Sequence, residues 1–153
     1  MAGGAKIDKT EVEIIKLLQR GRRSFKDIGQ TLGLSEATIR SKVGKMTQDG
    51  LVEIKALVST KDMEVGYQTA YIGLRLKTPA IMPTAEALTE LPGTISVAMV
   101  TGRYDLILTI MLTPEFGLLD FLNIMLVKYS DRINSSETFL VCEAVNLKTP
   151  YPY

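Results

Sequence analysis

Ile28-Gly-Gln-Thr-Leu-Gly-Leu-Ser-Glu-Ala-Thr-Ile-Arg-Ser-Lys-Val-Gly-Lys-Met46 is the stretch on which the reading of this 153-residue chain turns. It predicts two short helices joined by a tight turn. Ser35 caps the second helix, whose apolar residues Ile39, Val43 and Met46 recur at spacings of four and three and so share one buried face. Ala37, Thr38, Ser41, Gly44 and Lys45 are left outward, all small or basic. A helix with that outer face fits a DNA major groove, which admits it only when its leading side chains do not obstruct the approach. A solvated helix face is the plainer reading of the same residues.

Upstream, Asp8-Lys9-Thr10-Glu11 has the form of a capping box. The helix after it carries Ile14, Ile15 and Leu18 on one face, with Leu17 at the edge, and Gly21 marks its stop. Arg20, Arg22 and Arg23 cluster at the junction, and Ser24 caps a second helix with Phe25, Ile28 and Leu32 inward. Gly29 permits a close crossing, and Gly33 supplies a turn conformation that other residues resist. The third helix is expected over 36–48, stopping at Asp49-Gly50. Leu51 to Ser59 reads as a strand or wing. A hinge at 60–66 follows, separating a helical domain (1–59) from a β-rich one (67–153).

Beyond the hinge the order is strand (67–77), helix (84–91), strand (94–100), strand (105–112), helix and strand (137–148). Thr113-Pro114-Glu115 is expected to open the second of these helices, running on through Phe116, Leu119, Phe121, Leu122 and Met125 to about Lys128. Thr101-Gly102-Arg103-Tyr104 links the two central strands as a hairpin. The order is that of a ferredoxin-like βαββαβ unit, so the fold class is α+β with an N-terminal helix-turn-helix. Strand 106–112 is apolar on both faces: Leu106, Leu108 and Ile110 on one, Ile107 and Met111 on the other. Two helices cover one face of such a sheet and nothing else in the chain remains for the other, which predicts a homodimer through that face; partial cover by the N-terminal domain is the plainer alternative.

Bulk composition narrows the function classes. Apolar residues make up 46% and charged residues 23%, an ordinary globular balance. One cysteine, Cys142, excludes an internal disulfide and a cysteine-rich metal site. Histidine is absent, which removes the commonest general acid/base and the commonest metal ligand. No metal, cofactor or catalytic residue is expected. The N-terminus lacks an apolar signal core and no run approaches the ~18 residues of a membrane span, so a cytoplasmic protein without membrane contact is expected. Net charge is +1, but residues 1–60 hold 11 Lys/Arg against 7 Asp/Glu, and the remainder 7 against 10. The basic excess travels with the helix pair.

Taken together these stretches resemble the Lrp/AsnC (feast/famine) transcriptional regulators of bacteria and archaea over nearly the whole chain. The matching pieces are Gly21-Arg22, Leu34-Ser35-Glu36-Ala37-Thr38-Ile39, Asp49-Gly50-Leu51-Val52, Gly66-Tyr67, Leu91-Pro92-Gly93-Thr94-Ile95 and Val100-Thr101-Gly102-Arg103-Tyr104-Asp105-Leu106. The resemblance implies a plain or winged helix-turn-helix and a C-terminal effector-binding module that dimerises and often assembles to octamers. The chain departs from the family in having Lys128 to Asn134 where a Pro-Gly-Val-like turn is usual, and in Lys42 where arginine is usual. Gly44 also weakens its helix by about 1 kcal/mol relative to alanine.

On double-stranded DNA, Thr38 and Ser41 are assigned to base edges, Ala37 to a thymine methyl, and Lys42 and Lys45 to phosphates first. Arg20, Arg22 and Arg23 are phosphate candidates, with ordinary solvated surface charge as the alternative, and Ser24 and Ser35 present helix N-termini to phosphates. For a small-molecule effector such as an amino acid, Gly102 allows close backbone approach. Asp105 suits an ammonium, and Arg103 or backbone N–H groups suit a carboxylate. Thr101 and Tyr104 belong to the same loop, and the resemblance implies that Thr138 and the preceding loop, Asn134 to Ser136, complete the pocket across a subunit interface. The same loop also serves as an ordinary hairpin turn, with Asp105 satisfying backbone. The alternatives to an effector-modulated, sequence-specific regulator are an architectural DNA-binding protein and an enzyme like the sirohaem decarboxylases. The last are similar in layout but rely on histidine.

Overall fold

The computed structural model of the chain describes residues 7–21, 23–63 and 65–151. The chain divides into two compact units at Lys55/Ala56.

The first unit is three helices: α1 (Lys9–Gln19), α2 (Phe25–Leu32) and α3 (Glu36–Gln48). Each begins where a side chain satisfies its orphan N–H groups. Asp8 and Glu11 form a reciprocal capping box, Ser24 pairs in the same way with Asp27, and Ser35 accepts from the Thr38 N–H. The core is Ile14, Leu17, Ile28, Ile39, Val43 and Met46. Leu17 lies in the middle of the buried face rather than at its edge, with Ile15 and Leu18 half-buried beside it. Gly33 and Gly50 close α2 and α3 in the left-handed region, at φ +67° and +69°.

The expected wing does not form as read. The N–H groups of Leu51 and Val52 both donate to the Met46 carbonyl, which folds the chain back onto the core instead of into a strand. Within 51–59 only Leu57–Val58 (β1) forms a strand, and it pairs with Thr149–Pro150 (β6) inside the second unit.

That unit is built on an antiparallel sheet of β2 (Gln68–Leu76), β3 (Thr94–Met99), β4 (Leu106–Leu112) and β5 (Ile133–Leu140), in the order β3-β4-β2-β5. With α4 (Ile81–Thr89) and α5 (Leu118–Tyr129) this is the ferredoxin-like arrangement. Ala70, Ile72 and Leu74 of β2 and Leu106, Leu108 and Ile110 of β4 are fully buried in one core with Leu88, Phe121 and Met125.

Three boundaries differ from expectation. Helix α4 starts at Ile81, because Thr84 is buried within it and donates its hydroxyl to the Ala80 carbonyl rather than capping. Thr113 does not open a helix: its hydroxyl and carbonyl both accept from the Phe116 N–H in a tight turn, and α5 begins after Gly117. On α5 Phe121 and Met125 are buried, whereas Leu119 is 75% exposed. The last long strand lies four residues before its expected start and ends at Leu140 because it follows its pairing with β2.

The chain also covers part of the sheet's second face, contrary to the expectation that nothing remains to do so. Thr149 is buried there against Met111, its hydroxyl 3.6 Å from the sulfur, and Tyr151 lies against Tyr67. Tyr104 covers the opposite end. Between them Tyr71, Ile107 and Thr109 are half-buried and Phe139 is exposed.

Candidate functional site

The helix-turn-helix owes its geometry to Gly29. A Cβ there would lie 2.6 Å from the Leu34 carbonyl oxygen, so α2 meets the following turn with no room for a side chain. With Ile39, Val43 and Met46 turned inward, helical periodicity sends Ala37, Ser41, Gly44 and Gln48 directly outward. These four share one open, shallow surface with Glu36, Arg40 and Lys45. Nothing lies within 4 Å of the Cβ that Gly44 lacks. The face is flat, with a cation at each flank.

Other residues named from the sequence are placed differently. Lys42 is not free: its ammonium is 2.6 Å from Asp8 and 3.6 Å from Glu11, so it ties α3 to the start of α1. The Lys42 ammonium and the Glu11 N–H hold the Asp8 carboxyl below its ordinary pKa, and Asp8 raises that of Lys42. The Ser35 and Thr38 hydroxyls are 2.8 Å apart and engage each other. The Ser24 hydroxyl donates to Asp27, whose carboxyl is held low mainly by that bond. Arg23 is exposed, and Arg22 lies outside the described residues. Arg40 was not singled out from the sequence. It pairs with Glu36 at 2.6 Å and stacks 5.5 Å over the Phe25 ring, at the rim of the outward face.

In the second unit, Arg103 and Tyr104 meet Arg75 of β2 and Asn134 to Glu137 of β5 around a cleft of about 380 Å³. Gly73 makes this possible, since a Cβ there would stand 2.7 Å from the Tyr104 ring. A glycine inside a strand is the sequence signal of such a close approach. Tyr104 donates its hydroxyl to Glu137, which raises the phenol's pKa, and its ring meets Phe139 edge-on. The Arg103 guanidinium is 3.3 Å from Glu137, and Arg75 donates to the Arg103 carbonyl at 2.7 Å.

Asn134 and Ser136 therefore line the cleft, but from strand β5 rather than from a loop before it. Asp105 turns its carboxylate to the Leu76 N–H at 2.8 Å, beside the register shift in β2. Thr101 and Gly102 are exposed on the loop. Gly102 is required for its φ of +113° and not for a close approach. Thr138 pairs with Ile72 on the helix-covered face and does not reach the cleft. Ser135, inside the expected stretch Asn134 to Ser136, lines the cleft as well, and Arg75 and Glu137 are the cleft residues that sequence reasoning missed. Among the described residues no cluster of three or more Cys, Asp or Glu could hold a metal ion, and no helix is long and apolar enough to cross a membrane.

A capped helix-turn-helix carrying a flat, cation-flanked second helix, followed by a ferredoxin-like module, defines a DNA-binding transcriptional regulator. Residues 7–53 match the family described as "Winged helix-turn-helix DNA-binding". The chain is 31% identical over 102 residues to the transcriptional regulator Ptr1 of Methanocaldococcus jannaschii, covering 65% of this chain and 68% of that protein. Among solved structures, AsnC of Escherichia coli is similar with a TM-score of 0.66 and 26% identity, over 95% of this chain and 98% of AsnC. A transcriptional regulator of Neisseria meningitidis, solved as its complex with L-Met, shares the fold with a TM-score of 0.66 at 19% identity, over 96% and 97% of the two chains. The chain belongs to the Lrp/AsnC family of transcriptional regulators.

Proposed function

We propose that this regulator reads a specific operator with the outward face of α3 and changes its DNA affinity when an amino-acid-type effector occupies the Arg103–Tyr104–Glu137 cleft. Ala37, Ser41 and Gln48 address base edges, Gly44 leaves room for the groove wall, and Lys45 and Arg40 reach phosphates. Lys42 orients the helix. Residues 1–59 act as the DNA-binding part, and 67–153 as the effector and assembly part. The observation that carries the DNA reading is the uncluttered outward face, flanked by cations and braced by Gly29.

Self-association is part of the same reading. The middle of the sheet's second face, with Tyr71, Ile107 and exposed Phe139, is covered by a second copy, which presents two α3 helices to a partly palindromic operator with half-sites about one helical turn, or a multiple of it, apart. The amino-acid effector draws support from the L-Met complex of the Neisseria regulator. Selection of bound duplexes from random DNA, with and without an amino-acid pool, tests the proposal. A shared motif whose retention falls with salt and shifts with the pool is expected. Retention that random competitor DNA abolishes in proportion to its amount would favour an architectural role instead.

A further inference from the structure

We propose that the cleft selects an acidic amino acid, a ligand with two carboxylates and one ammonium; this rests on the effector reading above. Its charged lining is the mirror image of such a ligand. Arg75 and Arg103 bring two guanidinium groups, and Glu137 brings one carboxylate.

Each of the three is held in place yet keeps capacity. Arg75 spends one donor on the Arg103 carbonyl, at 2.7 Å, leaving the rest of its fork for a carboxylate. Arg103 leans on Glu137 at 3.3 Å and stacks 5.6 Å over the Tyr104 ring, which orients a second guanidinium in the same lining. Glu137 accepts from Tyr104 and Arg103 and retains lone pairs for an ammonium.

The remaining lining is Asn134, Ser135 and Ser136, with the Tyr104 ring as the apolar surface. A branched or aromatic side chain would find only the Tyr104 ring to pack on, whereas a second carboxylate meets hydroxyl, amide and guanidinium donors. A lysine side chain would bring a further cation against two guanidinium groups. The volume, about 380 Å³, lies toward the small end of ligand sites, which run from roughly 300 to 1,000 Å³.

Calorimetric titration of the full chain with L-glutamate, L-aspartate, L-glutamine, L-methionine, L-lysine and glutarate is the test. Glutamate or aspartate is expected to bind about tenfold or more tighter than glutamine or methionine, because a charge-assisted pair is roughly twice as strong as a neutral one. Glutarate, without the ammonium, binds more weakly than glutamate. Arg75→Met brings glutamate down to the level of glutamine, Arg75→Lys keeps part of the preference, and Glu137→Gln narrows the gap between glutamate and glutarate. Methionine or lysine binding as tightly as glutamate would overturn the selectivity while leaving an effector site standing. Silence from all six ligands would remove the effector reading itself, and the selectivity with it.

Discussion

Gly29→Ala and Gly44→Ala place the same methyl on neighbouring helices of one motif and should move stability in opposite directions. At Gly29 the new Cβ would stand 2.6 Å from the Leu34 carbonyl oxygen, a backbone atom that cannot swing aside. Relieving that contact means parting α2 from the turn, an overpacking cost of about 1–3 kcal/mol that exceeds the gain of about 1 kcal/mol from helix propensity at most points of its range. At Gly44 nothing lies within 4 Å and the residue is exposed in mid-helix, so the propensity gain of about 1 kcal/mol is unopposed. Scanning calorimetry of the full chain should show the helical unit's transition raised by roughly 4–8 °C in Gly44→Ala, since about 1 kcal/mol moves a small domain by that much. It should be lowered in Gly29→Ala. The Gly44 variant should nonetheless bind operator DNA less well, because its methyl stands on the face that enters the groove. Shifts of the same sign in both variants, or a Gly44 variant that gains both stability and DNA affinity, would contradict these roles for the two glycines.

The salt dependence of DNA binding separates two lysines three residues apart. Lys45→Gln should flatten the slope of log affinity against log salt by about 1, as loss of one phosphate contact does, whereas Lys42→Gln should leave the slope and lower the thermal midpoint. The pH dependence of unfolding carries the signature of Asp8. Its carboxyl is held low in the folded state by Lys42 and the Glu11 N–H, so its contribution is complete above about pH 4 and is lost as pH falls below that through the depressed folded value. Asp8→Asn should flatten that acid-side loss in a thermal melt series, and an unchanged slope would discount the pair. Gly73→Ala should expel Tyr104 from its seat, seen as increased quenching of tyrosine fluorescence and loss of amino-acid binding with the core intact.

The helix-turn-helix was legible because its signals are local. Asp8 with Glu11, Ser24 and Ser35 as caps, and Gly33 and Gly50 as left-handed stops each act within a few residues, and a single sequence displays them. Lys42 shows the limit of that reading. Its position on the helix is readable, but its partners lie 34 and 31 residues earlier, and only the crossing of α1 and α3 brings them together. Thr113-Pro114-Glu115 has the composition of a helix start, yet the same hydroxyl serves a four-residue turn equally well, and the turn prevails where Phe116 packs into the core. The bounds of β5 follow its ladder with β2, a long-range pairing that alternation in Glu137 to Lys148 does not report. Proline in β6 argues against a strand from sequence, but a short ribbon at an edge tolerates it. In the cleft the loop residues Arg103 and Tyr104 were readable, whereas Arg75 and Glu137 reach it only through the register that sets Gly73 opposite Glu137.

Binding of the full chain to its selected operator, followed by fluorescence anisotropy for Ser41→Glu, goes to the heart of the reading. Ser41 stands at the centre of the outward face of α3, exposed, so a carboxylate there leaves the core of Ile39, Val43 and Met46 undisturbed. Affinity should fall roughly ten- to hundredfold while the thermal midpoint stays near that of the parent. An unaltered dissociation constant, with the protein folded, would mean that this helix face is not what meets the DNA.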